Sequence, residues 1–493
     1  MNKNLAFSLF LAVTLLTTAA KAQFFTAVAN GTVTIVNYLG SGPTVVIPPT
    51  IDNLPVTTIG RAGSIFNYAT GPIISVTIPD TVTTISAAAF LNCRTLSAIS
   101  IPDSVTNIGM QAFEFCVGMT NVTLGNGVTS IGADSFFGCV NLTSITLPDS
   151  LTALGDSAFE DCYGLTNANL PRNLSSFGLA PFQFCGLNAI NIDSNNTSFI
   201  SVAGVLFDHN GNTLIEYPPG PAGSYAVADG VTAIGRGAFI GTQVAAVALP
   251  ATVTNIGPTA FESESLTALS VDSNNPSYAA VDGVLFNVGL TTLIQYPLGK
   301  VLNGYAIPAS VTSIGDSAFF GSYLTQIAIP AGVTNIGNFA FDYCVNLTTV
   351  AIPASVRSLG YYSFFGCTAL TGVYFAGDAP SIGSAVFYQG NPALSLYYLP
   401  GASGWASTFG RIATFLWNPT IQMADGAFGV QNNQFGFNIT GTTNIPFVLE
   451  ASTDLSGSTW TPLQSVILTN GSFYFTDPQW SNYPGRFYRI HSP

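Results

Sequence analysis

Charge is what this sequence has least of. Only 7% of its 493 residues are Asp, Glu, Lys or Arg, against roughly 25% in an ordinary soluble chain. Basic residues are the scarcer sign, 11 against 24 acidic, for a net charge of −13. No basic stripe is available to hold phosphates, which excludes nucleic acid as a partner. Histidine is limited to His209 and His491, and neither lies near a Ser or Cys nucleophile motif, so a catalytic triad is not expected. Beyond residue 22 no apolar run approaches the ~20 residues that span a bilayer as a helix. No Cys-x-x-Cys pair exists, so a zinc site has no local support, and neither a metal nor a cofactor is expected. Disorder is excluded from the other direction: 48% of the residues are hydrophobic, far too many for a chain that stays unfolded.

What is present begins with a targeting signal. Lys3 forms a positive start, Ala6 to Leu16 an apolar core, and Ala20-Lys21-Ala22 a small-residue cleavage site. Residues 1–22 therefore read as a signal peptide cut before Gln23, with no cysteine after the apolar core to carry a lipid. Cleavage removes Lys3 and Lys21 and takes the net charge to −15. Export is the expectation, with no transmembrane segment left after cleavage.

A repeat of 23 residues follows. Ile78-Pro79, Ile101-Pro102, Leu124-Gly125, Leu147-Pro148 and Leu170-Pro171 step by that interval. So does a phenylalanine, at 90, 113, 136, 159 and 182, resuming at 239, 261, 319, 341, 364 and 387, with Phe66 before it. These positions count twelve coils of a leucine-rich solenoid, in which stacking supplies the core that no single coil can bury. Within a coil, Ile99-Ser100-Ile101 alternates as a short strand, Pro102 closes it, Gly109 permits a tight turn, and Ala112-Phe113 reads as a 3₁₀-like segment.

A longer repeat lies over the first. Ile192-Asp193-Ser194-Asn195-Asn196 to Leu206-Phe207 matches Val271-Asp272-Ser273-Asn274-Asn275 to Leu285-Phe286, and Leu214 to Pro218 matches Leu293 to Pro297. Two hairpin-like insertions are expected, at about 192–225 and 271–305. They are either binding ridges or extra coils that lengthen the core.

The string from Ile101 through Pro102, Val105, Ile108-Gly109 and Ala112-Phe113 to Cys116 resembles the bacterial surface-antigen (BspA-like) leucine-rich repeat. The pattern from Val271 to Phe286 is similar to one that recurs in that family. Asn30 to Val36, Val45 to Pro48 and Leu54 to Gly60 resemble its N-terminal cap. The likeness covers roughly residues 25 to 418. It implies a bacterial cell-surface or secreted protein of adhesion or recognition, with an extracellular protein or polysaccharide as partner and no catalytic residues. The expected organisation is a mainly β chain: signal peptide 1–22, β cap 23–60, solenoid 61–418, and a small β-sandwich at 419–493. The last is read from the alternating runs Phe435–Thr440, Phe447–Ala451, Phe473–Thr476 and Phe487–Ile490, and it resembles terminal β modules of large secreted bacterial proteins.

Candidate functional residues are few. Cys93, Cys116, Cys139, Cys162, Cys185, Cys344 and Cys367 each follow their phenylalanine by three. One coil position for all seven reads first as a buried thiol ladder, with one or two disulfides as the alternative. Asp208 to Asn212 lacks the acidic twelfth residue of a calcium loop and reads as an Asn-Gly turn. Glu114 and Glu160 share a coil position two turns apart, as Asp80 and Asp103 do one turn apart. They are the carboxylates a carbohydrate-cleaving solenoid would need, or simply solubilising charges. The outward strand positions form a small, uncharged strip. Its members Asn121, Thr123, Ser144, Thr146, Asn167 and Asn169, with Tyr374 as the first aromatic platform, are the candidate ligand contacts. A passive structural role for the strip is the remaining alternative.

Overall fold

The computed structural model describes residues 23–61, 63, 65–66, 71–443, 445–455 and 459–491. The expected signal peptide lies outside them. The chain divides into two compact units, one ending at Ser277 and the other beginning at Tyr278.

In the first unit each coil contributes two strands. Three-residue strands at Thr44–Val46, Ser75–Thr77, Ala98–Ser100 and Asn121–Thr123, with Ser144–Ile145, form one parallel sheet. Its register is the sequence repeat itself, Ala98 opposite Asn121 and Asn121 opposite Ser144. A second parallel sheet is built from two-residue strands such as Asn107–Ile108 and Ser130–Ile131. The N-terminal hairpin Phe24–Ala29 and Thr32–Tyr38 starts that second sheet, and Thr32–Tyr38 pairs in parallel with Leu54–Ile59. The expected β cap is thus the first part of the solenoid's own sheet.

The segment after each Ile-Gly is a chain of turns and not the 3₁₀ helix expected; among the described residues Trp480–Asn482 is the 3₁₀ helix. Left-handed residues such as Gln111 (φ 59) and Phe115 (φ 56) interrupt each run. Alternate N–H groups then bond across to the next coil, Phe90 to the Ala112 carbonyl and Phe113 to the Ser135 carbonyl, both at 2.7 Å. Inter-coil bonding wins because every coil repeats the same geometry and can satisfy its neighbour's backbone. The glycine of Ile-Gly has a different task from the one expected: a Cβ at Gly132 would lie 2.7 Å from the Met110 nitrogen. Close stacking of coils, and not a special φ, requires it.

The core is an aromatic column. From Phe66 to Phe182 successive rings stack with centroids 4.7 to 5.6 Å apart and planes within 10°. Tyr38 precedes Phe66 in it, at 5.5 Å. Tyr217, Phe239 and Phe261 form a further stack in this unit, and Tyr296, Phe319, Phe341, Phe364 and Phe387 one in the second. Tyrosine at this coil position hid three coils from the phenylalanine count. Beside the column every cysteine is free and buried. Each thiol after the first donates to a phenylalanine carbonyl one coil back, as Cys139 does to Phe113 (3.3 Å) and Cys185 to Phe159 (3.0 Å). The same coil position is taken by buried Thr242 and Ser263 in the first unit and by Ser322 in the second, so it asks for a small side chain that can donate a hydrogen bond.

The insertions serve the core. In the first unit, Phe199–Val202 and Val205–Asp208 form a hairpin, Val205–Asp208 pairs with Thr213–Glu216, and that strand starts a new parallel row with the two-residue strands Ala233–Ile234 and Asn255–Ile256. Val205, Leu206 and Phe207 are buried. Asn196, also buried, bonds the Pro171 and Leu174 carbonyls of the preceding coil and accepts the Ser198 and Phe199 N–H groups. The second unit carries the same hairpin at Tyr278–Val281 and Val284–Asn287. The turn at Asp208 is the expected Asn-Gly turn: its carboxylate accepts the Thr213 N–H at 2.7 Å, and Asn287 plays the same part in the second copy. A neutral side chain does the same work, so the charge is not required there.

Within the second unit the solenoid ends in strands Gly372–Phe375, Ser395–Tyr398 and Ile412–Leu416. Two antiparallel sheets follow. One joins Thr420–Gln422, Gln434–Thr440, Gly429–Gln431 and Ser472–Asp477, and the other joins Thr461–Ile467, Pro446–Ser452 and Phe487–His491. Phe437, Ile439, Phe447, Leu449 and Phe475 fill the space between them. Buried Asp477 ties down the last strand by accepting from Arg486 (2.6 Å) and Tyr488 (2.7 Å). No helix among the described residues is long and apolar enough to cross a membrane.

Candidate functional site

The strand strip lies where the alternation puts it. In Asn121–Thr123 the central Val122 is buried and its neighbours are exposed. Asn121, Thr123, Ser144, Thr146, Asn167 and Asn169 are all exposed, and the parallel register brings Asn121 beside Ser144. Other polar side chains nearby are spent on the fold: Thr120 donates to the Ser97 carbonyl and Thr143 to the Thr120 carbonyl. Asn167 bonds Thr166. Asn121, Thr123, Ser144, Thr146 and Asn169 make no side-chain hydrogen bond to the described residues. Tyr374 differs. It is 8% exposed, sealed by stacking on Tyr397 and by the edge of Trp417. It walls a mainly apolar cleft of about 240 Å³ shared with Tyr398, Ile490 and His491. Burial pushes its phenol upward, with Tyr397 adding to the effect.

The paired carboxylates occupy the turn face of the first unit. Partial burial raises the Glu114 pKa, and the charge of Asp134 raises it further. Glu160 is raised in the same way, against a hydrogen bond from Ser157 that lowers it. Asp134 itself is raised by burial and by Asp156. These acids form a mutually repelling row that no ion pair relieves among the described residues. Asp103 has a structural duty, accepting the Asn126 N–H at 2.7 Å. No group of His, Cys, Asp and Glu among the described residues is arranged to hold a metal.

Sequence reasoning missed the turn face of the second unit. There Phe339, Tyr343, Tyr361 and Tyr388 are 40 to 55% exposed. Phe339 stacks on Tyr362 at 5.4 Å, Tyr362 meets Phe365 edge-on at 5.2 Å, and Phe365 reaches Tyr388 at 6.0 Å. This row leads to a groove of about 710 Å³ between Tyr362, Tyr388 and Arg411. The signal was in the columns flanking each core phenylalanine, which change from Gln111 and Glu114 to Phe339, Tyr362 and Phe365.

The model of the BspA type leucine-rich repeat region matches in six copies, over residues 83–203, 223–280 and 299–401. No match was found among curated proteins. Among solved structures, a leucine-rich cell surface protein of Faecalibacterium prausnitzii is 28% identical, with 72% of this chain and 94% of that one covered and a TM-score of 0.45. A leucine-rich repeat protein of Eubacterium ventriosum is 22% identical, covering 77% of each chain, at a TM-score of 0.36. The pneumococcal vaccine antigen PcpA is 20% identical over 76% of this chain and 79% of its own, at 0.33. The repeat register, the phenylalanine column and the family match agree, and this chain belongs to the BspA type leucine-rich repeat family.

Proposed function

We propose that the protein is exported, is held at or released from a bacterial surface, and acts there by binding an extracellular protein or polysaccharide in adhesion or recognition. The observation that carries this reading is the strand strip. Five side chains that can hydrogen-bond, Asn121, Thr123, Ser144, Thr146 and Asn169, stand exposed on or beside the strands of three consecutive coils and make no side-chain hydrogen bond to the described residues. A flat, uncharged array of unspent donors and acceptors suits a large partner, because each bond it forms replaces one to water without the desolvation cost of a charge. The match to the BspA type leucine-rich repeat family supports the location.

The test is capture of immobilised extracellular proteins and polysaccharides, with loss of the bound polymer followed in the same wells. Saturable capture that drops at least tenfold in Thr123→Lys and Thr146→Lys variants, at unchanged melting temperature, is expected. Capture indifferent to those substitutions removes the strip from the reading. Shortening of the polymer would replace binding with catalysis and direct attention to Glu114 and Glu160.

A further inference from the structure

We propose that the groove beside Tyr388 is a second binding site, for the carboxylate-bearing sugars of an acidic polysaccharide, with Arg411 as its anion-holding group. The site uses none of the residues of the strand strip and goes beyond the recognition reading; it requires only that the protein meets glycans outside the cell.

Three observations converge on the groove. Its volume of about 710 Å³ falls within the roughly 300–1,000 Å³ of small-ligand sites. Arg411 is exposed at its edge and, like Arg94, Arg236 and Arg357, forms no ion pair among the described residues. No carboxylate lines the groove; its polar groups are Ser384, Gln389 and Asn391. The charge offered to a ligand is therefore a single unneutralised cation in neutral surroundings.

The backbone fixes the placement of Arg411. It occupies the second of two left-handed positions, Gly410 (φ 55) and Arg411 (φ 72), in the two-residue turn joining Thr408–Phe409 to Ile412–Leu416. Glycine and asparagine adopt that conformation more cheaply than arginine does. The hairpin tip thus holds a long cation beside the groove.

The aromatic wall selects for a sugar. Tyr388 is 55% exposed, and a pyranose ring presents C–H bonds to which the electron-rich face of a phenol is complementary. Arginine meets a carboxylate with two parallel N–H bonds, which a neutral sugar cannot return. The rings of Phe365, Tyr362 and Phe339 continue from Tyr388 over successive coils, so an extended chain has a track beyond the groove. The net charge of −13 does not oppose this, because acids farther away than about 8 Å are screened at physiological salt.

The experiment is titration of the protein, at physiological ionic strength, with polygalacturonate, neutral dextran and dextran sulfate. Polygalacturonate is expected to bind and dextran not to. Arg411→Asn, a residue suited to the left-handed turn, should weaken polygalacturonate binding at least tenfold with the melting temperature unchanged. Arg411→Lys should fall between the two, and Tyr388→Ala should weaken binding as well. Equal affinity in wild type and Arg411→Asn overturns the proposal, as does dextran bound as tightly as polygalacturonate. Dextran sulfate bound as tightly would reduce the site to general anion attraction and overturn the carboxylate assignment. The Thr123→Lys and Thr146→Lys variants should keep polygalacturonate binding, so failure at the groove and failure of the strip are read separately.

Discussion

Tyr374 and Tyr397 stand opposite one another on adjacent parallel strands and stack with centroids 4.8 Å apart and planes 11° from parallel. Both belong to the outward column that reads Ala351 one strand earlier. There the solenoid stops facing water: the two rings enter the same apolar cluster as Phe437, Ile439 and Phe447 of the terminal module. Trp417 fixes the approach by donating its indole N–H to the Pro446 carbonyl at 2.9 Å. Tyr397→Ala should remove the floor on which the module rests, at a cost of about 3 kcal/mol. Hydrogen exchange is expected to rise in 434–452 while the coils near 113–159 keep their protection. Uniform loss of protection would contradict the local docking.

Glu216 links pH to stability. Its carboxyl is buried, accepts the Phe182 N–H, leaves Oε2 without a partner, and is pushed by desolvation from 4.5 to about 8. A raised carboxyl pKa favours the folded state fully below 4.5, and that contribution is lost as pH climbs through 8. The expected slope is about 1.4 kcal/mol per pH unit in this window. Gln295 holds the matching position in the second copy, neutral at every pH and bonded to the Tyr296 carbonyl. Glu216→Gln should therefore match wild type at pH 4 and be the more stable protein at pH 8.5 in denaturant titrations. Parallel curves at both pH values would refute this.

The thiols should be chemically silent. Burial raises Cys116, Cys139, Cys162 and Cys367 well above the ordinary thiol value, and Cys93 and Cys344 to about 12. A thiol-reactive dye should find none of them in the native protein and all seven in guanidinium. Cys139→Ser should cost less than about 1.5 kcal/mol, since Ser263 and Ser322 already serve at that coil position. Cys139→Leu should cost about 1–3 kcal/mol by overpacking. Native reactivity at any of the seven would place that residue outside the ladder.

Phe136 sits mid-column, 5.1 Å from Phe113 and 5.2 Å from Phe159. Phe136→Ala should cost about 3–5 kcal/mol through the cavity it leaves. Because coils touch only their neighbours, the rise in hydrogen exchange should be confined to residues near 113 and 159. A rise reaching Phe24–Ala29 would show more global coupling than stacking allows.

The sequence by itself determined the coil. A strict 23-residue spacing sends Val122, Ile131, Phe136 and Cys139 to the same inward positions every time, and only stacked copies can bury them. It also determined that Asn121, Thr123, Ser144 and Thr146 face outward, since strand alternation is local. The tertiary structure decided whatever depends on neighbours far along the chain. The second strand of each coil exists because Asn107–Ile108 finds Thr84–Ile85 and Ser130–Ile131 on either side; two residues carry no strand signal of their own. Tyr217 and Tyr296 take the place of phenylalanine in the aromatic stacks, on Phe239 and Phe319 respectively, each just after an inserted hairpin. Tyr374, read as an open platform, became a wall because a module some 60 residues later in the chain came to rest on it. The groove at Tyr388 and Arg411 needed the hairpin that ends the solenoid to place a cation beside rings from earlier coils, a juxtaposition that no local pattern encodes.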